Sequence, residues 1–338
     1  MKDGKIFTLS GVQSLLPSVN GWALELFKKS LANHWVPNGI PMGDDIQDWV
    51  SNRLSEDEKL LVRRSLGFFA GSEILVGNNL LLKIFNVVSD PECKQYIIRQ
   101  SFEESIHNLT VIYICDSLGL KVDEVYEAYQ HIPSIKKKDE FLKRITSDIN
   151  QNLNTDGSLF TWLLNYKKEA LKNIISYYMI CEGIFFYSGF AMMLNFGRQG
   201  KLLGISQQIQ YTLRDEVLHI EFGRNLINKI IEQEPLIWTE DFKKEIVNIF
   251  EEAVGLEIEY AYDVLPRGVL GLTAGQFVDY VKYIANRRLE GIGLSPIYVN
   301  ARNPFLWMTE AIDITKQKNF FETKVIDYQS SSTLTDDF

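Results

Sequence analysis

The sequence predicts an all-α protein built as one bundle of long helices, and three observations point that way. Apolar residues recur with a period near 3.6 over long stretches, while strand-like alternation is sparse. Helix-start and helix-stop residues bound those stretches, and the connections between them are short, which favours antiparallel neighbours. The chain of 338 residues is 46% hydrophobic and 23% charged, so it can bury a substantial core.

Helices are expected at roughly 57–85, 90–118, 122–130, 137–152, 158–196, 202–233, 239–263 and 273–289. Ser55 precedes the first, with Glu58 three residues on, as in a capping box. Asp90 before Pro91 opens the second, because proline at the first helical position loses no hydrogen bond. Gly119 closes it, and the third starts near Asp123. The run Lys136-Lys137-Lys138, followed by Asp139 and Glu140, reads as a solvated helix start. In the fifth helix, residues 174–196 carry a single charge, Glu182. They are long enough to cross a bilayer, but a carboxylate at its centre would cost about 2.5–3.5 kcal/mol on insertion scales. A helix apolar all round also suits the middle of a large bundle, and that is the reading adopted. Glu182 then needs a positive partner or a proton. Periodicity fades near the end, dividing the chain into a helical domain over 1–318 and a tail over 319–338.

Composition narrows the function. There are 35 basic and 44 acidic side chains, a net charge of −9, and no long basic block, so neither nucleic acid nor a membrane surface is an expected partner. Cys93, Cys115 and Cys181 form no CxxC pair, which argues against a disulfide framework or a thiolate zinc site and fits the cytoplasm. The N-terminus lacks the apolar core of a signal peptide.

The chemistry is concentrated in a few residues. Of four histidines, two sit three residues after a glutamate, in Glu104-Ser105-Ile106-His107 and Glu216-Val217-Leu218-His219. That spacing puts each pair on one helix face. Glu73 and Glu182 lie in apolar helical surroundings, giving the order Glu, ExxH, Glu, ExxH. Four carboxylates would balance two divalent ions, and mixed oxygen and imidazole ligands suit iron or manganese. HExxH is absent, so a zinc protease is not indicated. The order is the known pattern of di-iron and di-manganese carboxylate bundles of the ferritin-like kind.

At these residues the chain resembles the small, radical-generating subunit of class I ribonucleotide reductase. The resemblance runs from about residue 30 to the C-terminus through "NHWVP", "EESIH", "EGIFFYSGF", "RDEVLH", "NPFLWM" and "KNFFETKVIDYQ". It implies a homodimer whose dinuclear metal centre, held by Glu73, Glu104, His107, Glu182, Glu216 and His219, reacts with dioxygen or a derived oxidant and stores an oxidising equivalent. It also implies that the equivalent passes to a cysteine of a separate large subunit, where ribonucleotides are reduced. By the same resemblance Asp215 and Trp35 continue a path outward from His107. Tyr328 hands the equivalent across the subunit boundary, and the tail docks on the large subunit.

Most members of that family keep a tyrosine four residues after the first motif's histidine, where this chain has Val111. Valine has no accessible redox chemistry. Tyr113, two residues further on, is turned about 200° round the helix and should face away. A subgroup without the tyrosine holds its equivalent on a Mn(IV)/Fe(III) cluster and often has glutamate as first ligand, like Glu73. The resemblance therefore favours manganese/iron, with Fe/Fe or Mn/Mn as alternatives, although that subgroup usually has phenylalanine at the Val111 position. Tyr211 resembles a tyrosine that passes an electron inward during activation. The nearest rival is the ligand-binding manganese/iron oxidase branch, whose valine–tyrosine crosslink Val76 and Tyr177 resemble. The docking tail favours the reductase over that branch and over a metal-storage bundle.

Overall fold

The computed structural model describes residues 4–7, 14–146 and 159–312. In chain order these residues form α1 (Gly21–Ala32), α2 (Gly43–Val50), α3 (Glu56–Asn79), α4 (Phe85–Val87), α5 (Pro91–Leu118), α6 (Val122–Tyr126), α7 (Ala128–His131), α8 (Pro133–Ile145), α9 (Leu159–Ile175), α10 (Tyr187–Arg198), α11 (Leu203–Gln233), α12 (Glu240–Val264) and α13 (Ala274–Gly291). Two wide π-helical segments, Leu80–Ile84 and Ser176–Phe186, join α3 to α4 and α9 to α10. The tail at 319–338, with Tyr328, lies outside the described residues.

The expected helix signals work locally. Ser55 and Glu58 form a reciprocal capping box at the start of α3. The Asp90 carboxylate accepts the backbone N–H groups of Glu92 and Cys93, and Gly119 ends α5 at φ 64°. The start of α11 is satisfied from a distance: Asp45 of α2 accepts the N–H groups of Gly204 and Ile205, each at 2.8 Å. A buried carboxylate there meets both the unpaired N–H groups and the positive end of the helix dipole.

Several expectations change. Helices α1 and α2 were not foreseen, and the helix expected at 122–130 is broken at Glu127 into α6 and α7. Helix α8 begins at Pro133, four residues early, and the stretch 147–152 expected to extend it is outside the described residues. The helix expected at 158–196 is not uniformly α, because its centre widens to the π form. Its most apolar window is wholly buried by protein, which accounts for an all-round apolar surface without lipid.

Lys138 reverses the solvated reading of the lysine run. It is completely buried, and its ammonium lies 2.6 Å from Glu257 Oε2 and 3.5 Å over the Phe68 ring. Burial pushes Lys138 down and Glu257 up from their ordinary values, each against the pull of the other's charge. Removing one partner strands the other. Glu257→Ala should destabilise the fold by about 3–5 kcal/mol in denaturant unfolding, and the double change Lys138→Met, Glu257→Leu should recover most of that loss.

The core that matters is a ring of four. Helix α3 packs on α5, α5 on α11, α11 on the Ser176–Phe186 segment, and that segment back on α3. Gly223 of α11 lets the Tyr178 ring lie against the helix backbone, where any Cβ would collide with it.

Candidate metal centre

Each wall of the ring contributes carboxylates. Glu73 comes from α3, Glu104 and His107 from α5, Glu182 from the π segment, and Glu216 and His219 from α11, all buried. His107 Nδ1 lies 3.2 Å from Glu104 Oε2 and 3.5 Å from Glu216 Oε1. His219 Nδ1 lies 3.2 Å from Glu104 Oε1 and 3.3 Å from Glu216 Oε2. Glu104 and Glu216 thus each turn one oxygen toward each imidazole, the arrangement of two carboxylates spanning two neighbouring positions. Ligand-type atoms of Glu73, Glu104 and His107 converge within 4.8 Å, as do those of Glu104, Glu216 and His219. Glu104 belongs to both sets.

The charges cannot all stand unaided. Burial pushes Glu73 and Glu182 well above the usual carboxylate range, reinforced by Glu104 for the first and Glu216 for the second. Burial raises Glu216 as well. Burial opposes ionisation of Glu104 too, but the hydrogen bond with His107 and the adjoining His219 imidazole win and hold it well below that range. Both imidazoles are held well above their ordinary value despite burial: His107 by its bonds to Asp215 and Glu104, His219 chiefly by the charge of Glu216. Glu73 Oε2, Glu104 Oε1, Glu182 Oε2, both Glu216 oxygens and His219 Nδ1 have no hydrogen-bond partner. Buried polar atoms left open in this number require another partner. Two divalent cations would satisfy them and neutralise four carboxylates, so the donor set fits a dinuclear iron or manganese centre.

A line of contacts leaves the cluster on one side. Asp215 Oδ2 lies 3.3 Å from His107 Nε2 and accepts the indole N–H of Trp35 at 2.7 Å. Since a carboxylate only accepts, Asp215 keeps a proton on His107 Nε2, so that Nδ1, which faces Glu104 and Glu216, is the nitrogen that would release its proton to bind an ion. The Trp35 ring is 5.4 Å from that of Tyr211, whose hydroxyl receives the Gln207 amide N–H at 3.2 Å. Val111 is buried one turn beyond His107. Tyr113 donates its hydroxyl to the Ile40 carbonyl at 3.0 Å, away from the cluster as its position on the helix requires.

Two supporting residues escaped the sequence reading. Glu103 accepts His219 Nε2–H at 2.9 Å and pairs with Arg99 at 3.0 Å. Gln100 donates its amide to Glu182 Oε1 at 2.9 Å and accepts the Tyr178 hydroxyl at 2.9 Å. Glu182 therefore has an amide donor and a raised proton affinity in place of a cationic side chain. Signals for both were present: an acid stands directly before each ExxH, and Gln100 is one turn before Glu104.

A helical ring that buries two ExxH motifs and two further glutamates, with Glu104 and Glu216 shared between the imidazoles, defines a ferritin-like carboxylate bundle. Within that class the chain belongs to the ribonucleotide reductase small-chain family, whose family profile "Ribonucleotide reductase, small chain" matches residues 13–304. It is 49% identical over 324 residues to the ribonucleoside-diphosphate reductase subunit beta of Chlamydia pneumoniae, covering 96% of this chain and 92% of that one. Its fold is similar to the ribonucleotide reductase R2 subunit of Clostridium botulinum, with a TM-score of 0.80 at 26% identity over 89% of this chain and 91% of the other. The crystal structure of a putative class I ribonucleotide reductase from Bacillus halodurans is similar too, with a TM-score of 0.78 at 26% identity over 86% of this chain and 99% of the other.

Proposed function

We propose that the chain is the small subunit of a ribonucleoside-diphosphate reductase, active with a separate large subunit, and that Glu73, Glu104, His107, Glu182, Glu216 and His219 hold two metal ions. When bound, the ions supply the reaction with dioxygen or a derived oxidant and the storage of one oxidising equivalent. The hydrogen-bonded line His107–Asp215–Trp35 carries this reading, because it leads from the buried cluster toward α1 through groups that pass charge. Asp215 Oδ2 fixes the His107 tautomer and holds the Trp35 N–H, so it can accept that proton as the indole gives up an electron. Tyr211, packed on Trp35, is placed to pass an electron inward during activation. Tyr328, outside the described residues, would carry the equivalent to the large-subunit cysteine from a tail that docks there.

Val111 supports a manganese/iron pair. The position one turn beyond His107 has no side chain that can hold a radical, and Tyr113 is committed to Ile40. The test is a reductase assay with the cognate large subunit after loading with iron alone or with manganese plus iron. Turnover only with both metals is expected. Equal turnover with iron alone would overturn the manganese/iron assignment, and none under either condition would favour the oxidase branch.

The exposed side of α5 supports a homodimer. Ile98, Phe102, Leu109 and Ile112 are exposed along one side of that helix, too contiguous an apolar stripe for a free helix face. Leu109→Asp should shift the protein from dimer to monomer in sedimentation equilibrium, with helical content retained.

A further inference from the structure

The support of the two imidazoles is crossed. Asp215 precedes the motif on α11 but holds His107 of α5, whereas Glu103 precedes the motif on α5 and holds His219 of α11. The two carboxylates differ in what lies beyond them. Asp215 leads to the Trp35 indole, and Glu103 leads to the Arg99 guanidinium, which also donates to the Ser30 carbonyl at 3.0 Å. Arg214, beside Asp215, donates in turn to the Asn33 carbonyl. The last carbonyls of a helix have no partner within it. At the end of α1 these arginines supply partners, just before the chain reaches Trp35.

We propose that Glu103 is the positioning residue for the His219 half of the centre, as Asp215 is for the His107 half, and that Arg99 couples Glu103 to the end of α1 that presents Trp35. Glu103 acts through His219: by accepting Nε2–H it fixes the ring so that Nδ1, facing Glu104 and Glu216, is the atom that would bind an ion. Arg99 balances the Glu103 charge and holds the Ser30 carbonyl with the same guanidinium. A shift in either half is thereby felt at the segment carrying Trp35, and the arm through Glu103 ends in a cation that cannot be oxidised.

This rests on the dinuclear reading above, and manganese(II) alone can test both. Free manganese(II) is counted by its paramagnetic resonance signal during titration of the full chain. The wild type should bind two ions per chain. Glu103→Ala should retain one and hold the second about 10–100-fold more weakly, the usual loss when the outer partner of a ligating histidine is removed. Glu103→Gln, whose amide oxygen still accepts the His219 N–H, should keep both ions. Hydrogen exchange at residues 30–35 should quicken in Arg99→Met. A wild type that binds fewer than two ions would overturn the dinuclear reading and this inference with it. With two ions bound by the wild type, retention of both by Glu103→Ala, or loss of one by Glu103→Gln, would overturn the positioning role alone. Unchanged exchange at residues 30–35 in Arg99→Met would remove the coupling to α1.

Discussion

Trp35→Phe should lower reductase turnover with the large subunit by about 100-fold, the upper end of the loss for an outer partner of a metal-binding group, while two ions per chain and the fold are retained. The substitution keeps an aromatic ring in the small cluster with Ile40 and Ile106 and removes the N–H that Asp215 accepts. Phenylalanine is also far harder to oxidise than indole. A structural role would give a different pattern, with helical content and ion binding falling along with turnover. Asp215→Asn should lose turnover too, because an amide is a poor acceptor for the indole proton. Like Trp35→Phe it should keep both ions, since the asparagine amide oxygen still accepts the His107 N–H. Near-normal turnover in Trp35→Phe would remove Trp35 from the path.

Chelating the metals should produce the second large effect, and its pH dependence has a definite sign. Without ions, Glu73, Glu182, Glu216, His107 and His219 bind protons more tightly folded than unfolded. Each contributes stability that is present below its unfolded value, about 4.3 for glutamate and 6.5 for histidine, and is lost as pH rises through the folded value. Glu104 acts in the opposite sense, and its contribution is already complete well below neutrality. The chelated protein should therefore lose stability as pH rises above about 4.3 through the glutamates, and further above about 6.5 through the histidines. Ion binding requires deprotonated carboxylates and neutral imidazoles, so its stabilisation grows over the same range. At a thousandfold excess over the dissociation constant each ion contributes about 4 kcal/mol. The difference in Tm between loaded and chelated protein should widen as pH rises above about 6.5, the unfolded histidine value. A constant or narrowing difference would contradict the charge arrangement described for the cluster.

Much of this was legible because helical spacing is local. ExxH places two ligands on one face wherever the helix points, and the capping signals at Ser55, Asp90 and Gly119 act within three or four residues of themselves. What escaped notice depends on contacts remote in sequence. Glu103 and His219 are 116 positions apart, and Asp45 is matched to Gly204 only once α2 folds onto the start of α11. Helices α1 and α2 are short and flank the "NHWVPNG" stretch, so their periods are too brief to stand out. The π segment keeps the apolar composition of an α-helix while changing its pitch, which composition cannot reveal. Lys138 looked like one more solvated lysine because nothing nearby in sequence announces Glu257 or the ring of Phe68. For the site, the ligand types were readable one by one, but the sharing of Glu104 and Glu216 between two imidazoles exists only in three dimensions.

The central claim is that these six side chains form one centre for two metal ions. Anomalous diffraction above and below the manganese and iron edges, on crystals of the protein loaded with both metals, tests it most directly. The account predicts two anomalous peaks in the ring, one among Glu73, Glu104 and His107 and the other among Glu104, Glu216 and His219. A single peak, or peaks only outside the ring, would contradict it.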